Sequence, residues 1–249
     1  MAPGDDGYFD KRRAETYDDD AEMLDPAVVD PAVNFLARLS GDGSALEFGI
    51  GTGRIALPLA RRGVAVHGVD MSKAMFERLK LKQEGNEVDV TIGDFSTTLV
   101  DGSFSLVYLV CNTIMNLTTQ TSQVACFRNA EEHLKPGGHF VIEVMVPQLQ
   151  RLAKGETLLA FDLSEKHWGV DEYDVVSQGL TSHHAQIIDG NIEMYSTPFR
   201  YVWPAELDLM AELAGLTLAE RWAGWDQEPF TGVSQSHVSV WEKPNRQTS

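Results

Sequence analysis

Cysteine is scarce: Cys111 and Cys126 are the two in 249 residues, too few for a disulfide framework, and neither C-x-x-C nor H-E-x-x-H spacing occurs, so no metal site is expected. Long apolar runs are missing too. Nothing approaches the roughly 18 consecutive apolar residues that a transmembrane helix needs, and the acidic stretch at residues 1–10 lacks the apolar region of a secretory signal. Basic charge is short: 20 Lys and Arg against 37 Asp and Glu leave a net charge of −17, the wrong sign for a partner made of nucleic acid or an anionic membrane. Internal repeats and low-complexity tracts are absent, which sets aside solenoid architectures. What is present, 43% apolar and 23% charged residues, is the composition of an ordinary folded protein long enough for one domain, residues 1–249, carrying an insertion. These exclusions lead us to expect a soluble cytoplasmic protein. They leave its oligomeric state open between monomer and homodimer.

The dominant pattern is alternation. Asp30-Pro31 reads as an N-cap and first helical position, followed by the apolar face of Phe35, Leu36 and Leu39 and then a Gly-Asp-Gly loop. A strand is predicted at 45–48, a helix from Ile55 to Gly63, a strand ending at Asp70, and a helix capped by Ser72. A third strand spans 88–92, and the apolar run 104–110 suits a central strand buried on both faces. A helix through Val124, Phe127 and Leu134 ends at Lys135-Pro136-Gly137-Gly138, with strand five at 140–146. Strands alternating with helices imply an α/β, doubly wound, Rossmann-like parallel sheet. After Pro147 the rhythm changes. Residues 148–203 read as a β-rich insertion after strand five, with the best hairpin signal at 180–188, Asp189-Gly190 and 191–194. A helix from Pro204 to Gly215 and two strands, 216–222 and 237–241, complete the chain.

The run LEFGIGTGR, residues 46–54, puts three glycines where a strand turns into a helix, so that backbone can approach a ligand. A nicotinamide or flavin fingerprint, G-x-G-x-x-G, would need glycine at position 54, where Arg54 stands. Glu47 would set a carboxylate close to a pyrophosphate but suits a cation. Asp70, 21 residues beyond Gly49 at the end of strand two, can accept both hydroxyls of a ribose. Asp94, ending strand three beside Phe95, can accept from an adenine amine while Met71, Phe95 or Met75 sandwiches the ring.

LEFGIGTGR, GVDMS at 68–72, GDF at 93–95 and LKPGGHFVIEV at 134–144 stand in register, and together they resemble a class I S-adenosylmethionine-dependent methyltransferase of the small-molecule type. The resemblance covers residues 45–146, and the terminal helix and strands match in order. It implies a mostly parallel seven-stranded sheet with the last strand antiparallel, S-adenosyl-L-methionine as cofactor, and methyl transfer to N or O by in-line displacement. By that resemblance Glu47, Gly49, Gly51 and Gly53 belong to the loop around the methionine moiety, Asp70 to the ribose, and Met71, Asp94 and Phe95 to the adenine; Arg54, ending the loop, and Met75 are further candidates for the cofactor site. Cys111 and Asn112, ending strand four, take the position beside the sulfonium. The segment YFDKRRAETYD, residues 8–18, resembles the entry segment of small-molecule members, with Tyr17 closing over the cofactor and Tyr8 nearby. Asp18, Asp19 and Asp20 read as a solvent-facing run.

Methyl transfer from a sulfonium needs alignment more than covalent help. The signature of nucleic-acid amino methylation, Asp or Asn then Pro-Pro and an aromatic, is replaced here by VCNTIMNL, which leaves a small molecule as the acceptor. Tyr8, Asn116, Tyr173, Arg200 and Tyr201 are the candidate acceptor contacts, the last three within an insertion whose aromatic residues suit a cap. Arg200 would pair with an acidic substrate group or with Glu193. The candidate general bases are His183, His184 and His237, and since His183 and His184 are adjacent on a strand, at most one faces the cofactor. A nicotinamide-dependent oxidoreductase and a non-catalytic cofactor-binding protein of the same fold are the competing readings.

Overall fold

The computed structural model describes residues 9, 11–18, 24–82, 88–188 and 190–245. In chain order they form α1 (Lys11–Thr16), α2 (Pro26–Ser40), β1 (Ala45–Phe48), α3 (Ala56–Arg61), β2 (Val66–Asp70), α4 (Lys73–Lys80), β3 (Asp89–Ile92) and β4 (Phe104–Leu109). Next come α5 (Gln120–His133), β5 (Leu134–Met145), β6 (Leu158–Leu163), β7 (His167–Asp174), β8 (Gly179–Ile188), β9 (Asn191–Arg200), α6 (Pro204–Ala214), β10 (Thr217–Trp222) and β11 (Ser236–Glu242). Seven strands make one sheet in the order β10-β11-β5-β4-β1-β2-β3. The five from β3 to β5 pair in parallel, while β11 runs antiparallel to both β5 and β10.

Helices cover both faces, and this explains why β4 is buried at every position. Its Leu106 and Tyr108 pack with α2 and α3, while Val107 and Leu109 pack with α5 and α6. The alternation of side chains along each strand thus feeds two cores, one per face.

Two boundaries differ from the sequence expectation. Helix α2 starts a turn and a half earlier, at Pro26, because Asp25 is the cap: its Oδ1 accepts from the Ala27 amide at 2.8 Å. Pro31 is therefore inside the helix. Strand β5 begins at Leu134, so Lys135-Pro136-Gly137-Gly138 lies within it; Gly137 takes φ +76° at a register irregularity opposite β4 and donates to the Lys243 carbonyl at 2.8 Å.

The insertion folds as a four-stranded antiparallel sheet, β6-β7-β8-β9. Its hairpin pairs Ile188 with Asn191, as expected, with Gly190 at φ +78° and Asp189 outside the described residues. One face of this sheet carries Tyr173 and Leu180 into the core beneath α5 and α6. Among the described residues no helix is long and apolar enough to cross a membrane, and no group of three or more His, Cys, Asp or Glu could hold a metal ion.

Candidate functional site

At the carboxyl ends of β1 and β2 the glycine turn is held by backbone geometry. Gly49, Gly51 and Gly53 adopt φ values of +74°, +55° and +80°, which side chains rarely tolerate. A Cβ on Gly49 would lie 2.6 Å from Thr113 Cγ2, and one on Gly53 would press on Leu57 and Leu79. Gly49 therefore keeps the mouth of the site open, whereas Gly53 serves packing. The Asp70 carboxylate ties the turn to the next loop, Oδ2 accepting from the Gly51 amide at 2.7 Å and Oδ1 from the Ser72 amide at 2.8 Å. Beneath the turn Glu47 is fully buried, and Tyr108 donates to its Oε2 at 2.9 Å. Burial raises its pKa to about 8, against the opposing pull of the Tyr108 hydrogen bond.

The end of β4 is strained. Cys111 and Asn112 are consecutive non-glycine residues at φ +55° and +60°, a conformation that costs on the order of 1–3 kcal/mol each unless its surroundings hold it. Two clamps do so. The Cys111 amide donates to Glu143 Oε2 at 2.6 Å, and Asn112 Oδ1 accepts from the Met145 amide at 2.7 Å. Glu143 escaped the sequence reading, although a lone carboxylate in the apolar run VIEVMV was a legible signal. Burial raises its pKa, with the Cys111 amide and Arg54 pulling it back.

Helix α1 lies across the opening. Ser72 Oγ donates to the Phe9 carbonyl at 2.6 Å, and Arg54 donates to the Tyr17 hydroxyl at 3.2 Å. Asp18 accepts from Thr52 Oγ1 at 2.7 Å and pairs with Lys82 at 3.0 Å. This corrects the solvent-facing assignment for Asp18; Asp19, Asp20 and Tyr8 lie outside the described residues. Arg54 also reaches Cys111 Sγ at 3.5 Å. On the other side of α1, Arg13 stacks on Tyr195 at 3.5 Å, and Tyr195 stacks on His184 at 4.5 Å.

Between these parts is a cavity of about 480 Å³. Tyr17, Gly49, Gly51, Asp70, Met71, Met75, Asp94 and Phe95 line one half, with Phe9 and Ser72. Thr113, Asn116, Leu117, Thr118, Ser122, Thr197 and Pro198 line the other. Of these seven, sequence reasoning found Asn116 alone, because the rest come from the segment after β4, the first turn of α5 and the β9 edge, which carry no motif. Thr197 Oγ1 is buried with no hydrogen-bond partner among the described residues. Glu47, Gly53, Arg54, Cys111 and Asn112 are not among its lining residues. Asp94 is partly committed to its own turn, Oδ1 accepting from Ser96 at both the amide, 2.8 Å, and the hydroxyl, 2.7 Å. A larger, more open cleft of about 610 Å³ between α2 and residues 225–227 is walled by Pro31, Phe35, Arg38 and Trp225. It has no glycine turn, so the chemistry belongs to the first cavity.

Several candidates sit elsewhere. Arg200 is buried and donates to Gln123, to Glu206 at 2.8 Å and to Gln178 at 3.1 Å; it has neither Glu193 nor an open face, which corrects its reading as a substrate contact. Tyr173 and Tyr201 pack on each other in the core, 5.7 Å between centroids. His183 is on the outer face of the inserted sheet, bonded to Ser196 and Glu172. His184 is on the inner face, its Nδ1 bonded at 2.9 Å to His167, which contacts Asp162 at 2.5 Å. His237 is fully buried on β11 against Ser239 and Phe230. None of the three lines the cavity.

The cavity's chemistry fits an adenosyl cofactor: carboxylates at the ends of two strands, flat aromatic and thioether walls, and an open glycine floor. Comparison with known proteins agrees. A family model described as a methyltransferase domain matches residues 45–138. The solved structure of the CcbJ methyltransferase from Streptomyces caelestis is 36% identical, with a TM-score of 0.81 over 94% of this chain and 96% of that one. The cypemycin N-terminal methyltransferase of a Streptomyces species is 28% identical over 96% of this chain and 99% of its own. An S-adenosylmethionine-dependent methyltransferase structure from Clostridium acetobutylicum, 13% identical, shares the fold at a TM-score of 0.74 over 92% of this chain and 99% of that one. The chain belongs to the class I S-adenosylmethionine-dependent methyltransferases. It is an enzyme, and its cofactor is S-adenosylmethionine.

Proposed function

We propose that this enzyme methylates a nitrogen atom of a small molecule, an amine presented with its lone pair free. The observation that carries the reading is the acceptor half of the cavity, where hydroxyl and amide side chains, Thr113, Asn116, Thr118, Ser122 and Thr197, stand without a histidine or carboxylate among the described residues. A hydroxyl acceptor needs a base to give it a usable lone pair at neutral pH, whereas a neutral amine carries its own. The cypemycin relative, named for methylation at an N-terminus and alike over nearly the whole length, supports the same choice.

When bound, the cofactor supplies an activated methyl group on a cationic sulfur. In this reading Asp70 receives the ribose hydroxyls; Met71, Met75 and Phe95 enclose the adenine; and Asp94 accepts from its amine. Glu47, Gly49, Gly51 and Arg54 surround the methionine portion, with Tyr17 closing the opening. The Cys111–Asn112 turn, held by Glu143, sets Thr113 and the wall on which the acceptor aligns. Residues 148–203 act as the cap, and Thr197 at the β9 edge orients the acceptor by hydrogen bonding. Alignment is the main demand, since a held near-attack geometry supplies about 7–11 kcal/mol of barrier reduction in favourable cases. The unpaired thiols of Cys111 and Cys126 support work in the reducing cytoplasm.

The test is initial-rate release of S-adenosylhomocysteine with pairs of acceptors that differ only in bearing an amine or a hydroxyl. Turnover of the amine member, rising with pH through that amine's own pKa, is expected, and the rise should persist in His184→Asn. Faster turnover of the hydroxyl members would contradict the reading.

A further inference from the structure

The stretches that line the acceptor half, residues 113–118, the first turn of α5 and the β9 edge, meet at one buried side chain. Gln123 is fully buried on α5, next to the cavity-lining Ser122. Its Nε2 donates to the Ile114 carbonyl at 3.2 Å and to the Arg200 carbonyl at 3.1 Å, and its Oε1 accepts from Arg200 Nη1. An arginine carries donors only, so the atom that faces it is the amide oxygen, and both N–H groups of Gln123 are then engaged on the two carbonyls. Arg200 is fixed from behind. Its Nη2 donates to Gln178 at 3.1 Å and to Glu206 at 2.8 Å, and Glu206 also accepts from Gln178 at 2.7 Å and from Gln120 at 3.0 Å. Burial alone would raise the Glu206 pKa, but the hydrogen bonds from Arg200, Gln178 and Gln120 hold it below the usual value.

This cluster stands where backbone pairing does not. Strand β9 is an edge of its sheet, and among the described residues no backbone hydrogen bond joins it to residues 113–118. Gln123 is, among the described residues, the one side chain that hydrogen-bonds to the backbone of both. Thr113 and Asn116 flank Ile114, and Thr197 and Pro198 lead into Arg200, so the two carbonyls that share one nitrogen belong to the two walls of the cavity's acceptor half. We propose that Gln123, braced by Arg200 and Glu206, is a positioning residue that sets the width of the acceptor slot between Thr113 and Thr197, and thereby selects which amines align with the methyl group. This role rests on the N-methylation reading. A buried ion pair is a weak source of stability, since well-packed apolar residues of the same volume do as well; what this one adds is a fixed distance between two walls. That distance matters because a misplacement of about 1 Å can cost on the order of a hundredfold in rate.

The test sets wild type against Gln123→Met, which keeps the length of the side chain but has no N–H, and Arg200→Lys, which keeps the charge facing Glu206 but loses the fork that grips Gln123. Crystal structures with S-adenosylhomocysteine should show Thr197 farther from Thr113 by about 1 Å in both variants, while calorimetry finds S-adenosylhomocysteine affinity within about twofold of wild type. With primary amines graded in branching next to the nitrogen, wild type should discriminate about tenfold or more sharply than either variant, the loss falling on kcat of its preferred amine. An unchanged Thr113–Thr197 spacing would overturn the inference. So would an equal loss on every amine, which is the mark of a merely structural role. A slot that widens and relaxes selection among hydroxyl acceptors, with no amine turned over, would uphold the role of Gln123 and refute the N-methylation reading.

Discussion

Glu143 shows how one side chain can govern a site it does not line. Its carboxylate accepts from the Cys111 amide and so holds two consecutive left-handed residues beside the acceptor wall. Glu143→Ala should lower kcat at least about tenfold, equal to ~1.4 kcal/mol, with little change in S-adenosylhomocysteine affinity, and Glu143→Gln, whose amide oxygen can still accept, should recover most of it. A parallel loss of cofactor binding would show that the turn serves the cofactor instead. Glu47 gives a pH signature. Its folded pKa of about 8 lies above its usual value of 4.5, so its contribution to stability is fully present below pH 4.5 and is lost as pH rises through 8. Thermal melts of Glu47→Gln against wild type should therefore show the variant gaining relative stability between pH 5 and 9 (about pH 4.5 to 8 is the active window); parallel curves would remove Glu47 as the cause. Residues with a chemical reason to stand where they do were legible. Asp70, Asp94 and the glycines end strands, and strand ends can be read from hydropathy. Thr113, Thr118, Ser122 and Thr197 could not be read, because a hydroxyl outside any motif looks the same whatever site the chain brings it to.

Among the elements, α1 depends most on its neighbours. Six residues are too few for a helix to persist alone in water, and its apolar contact is small, Ala14 against Ala74 and Met75 with Phe9 and Tyr17 at the edge. Polar ties from Asp18 and Tyr17 complete the hold on the cofactor half, and Arg13 binds it to the inserted sheet through Tyr195. Removing residues 1–18 should weaken S-adenosylhomocysteine binding about tenfold or more, ~1.4 kcal/mol, while the melting temperature of the ligand-free protein falls only slightly. Calorimetry and thermal melts on the truncated chain check both, and unchanged affinity would mean that α1 is no part of the cofactor site. The order of strands and helices was readable from apolar period and turn residues. Two boundaries were not: Asp25-Pro26 and Asp30-Pro31 are equivalent as sequence starts, and the Asp25 cap decides between them. The Lys-Pro-Gly-Gly stretch reads as a break, yet pairing across β4 and with Lys243 absorbs it into β5.

At the scale of the molecule, two sheets divide the labour. The parallel sheet presents a glycine turn and carboxylates at its carboxyl edge, and the inserted sheet closes the acceptor half with its β9 edge. The net charge of −17 argues against polyanionic partners, and the structure places Asp70 and Asp94 in the wall of the cavity, with Glu47 buried beneath the glycine turn. Most other carboxylates serve solubility. The most direct measurement is a calorimetric titration of the folded chain with S-adenosylhomocysteine, alongside NADH and alongside the Asp70→Ala variant. The account predicts one S-adenosylhomocysteine site per chain, no NADH binding, and a loss of about 1–3 kcal/mol in the variant through charge-assisted hydrogen bonds. No S-adenosylhomocysteine binding by the folded wild type, or saturation by NADH instead, would contradict it.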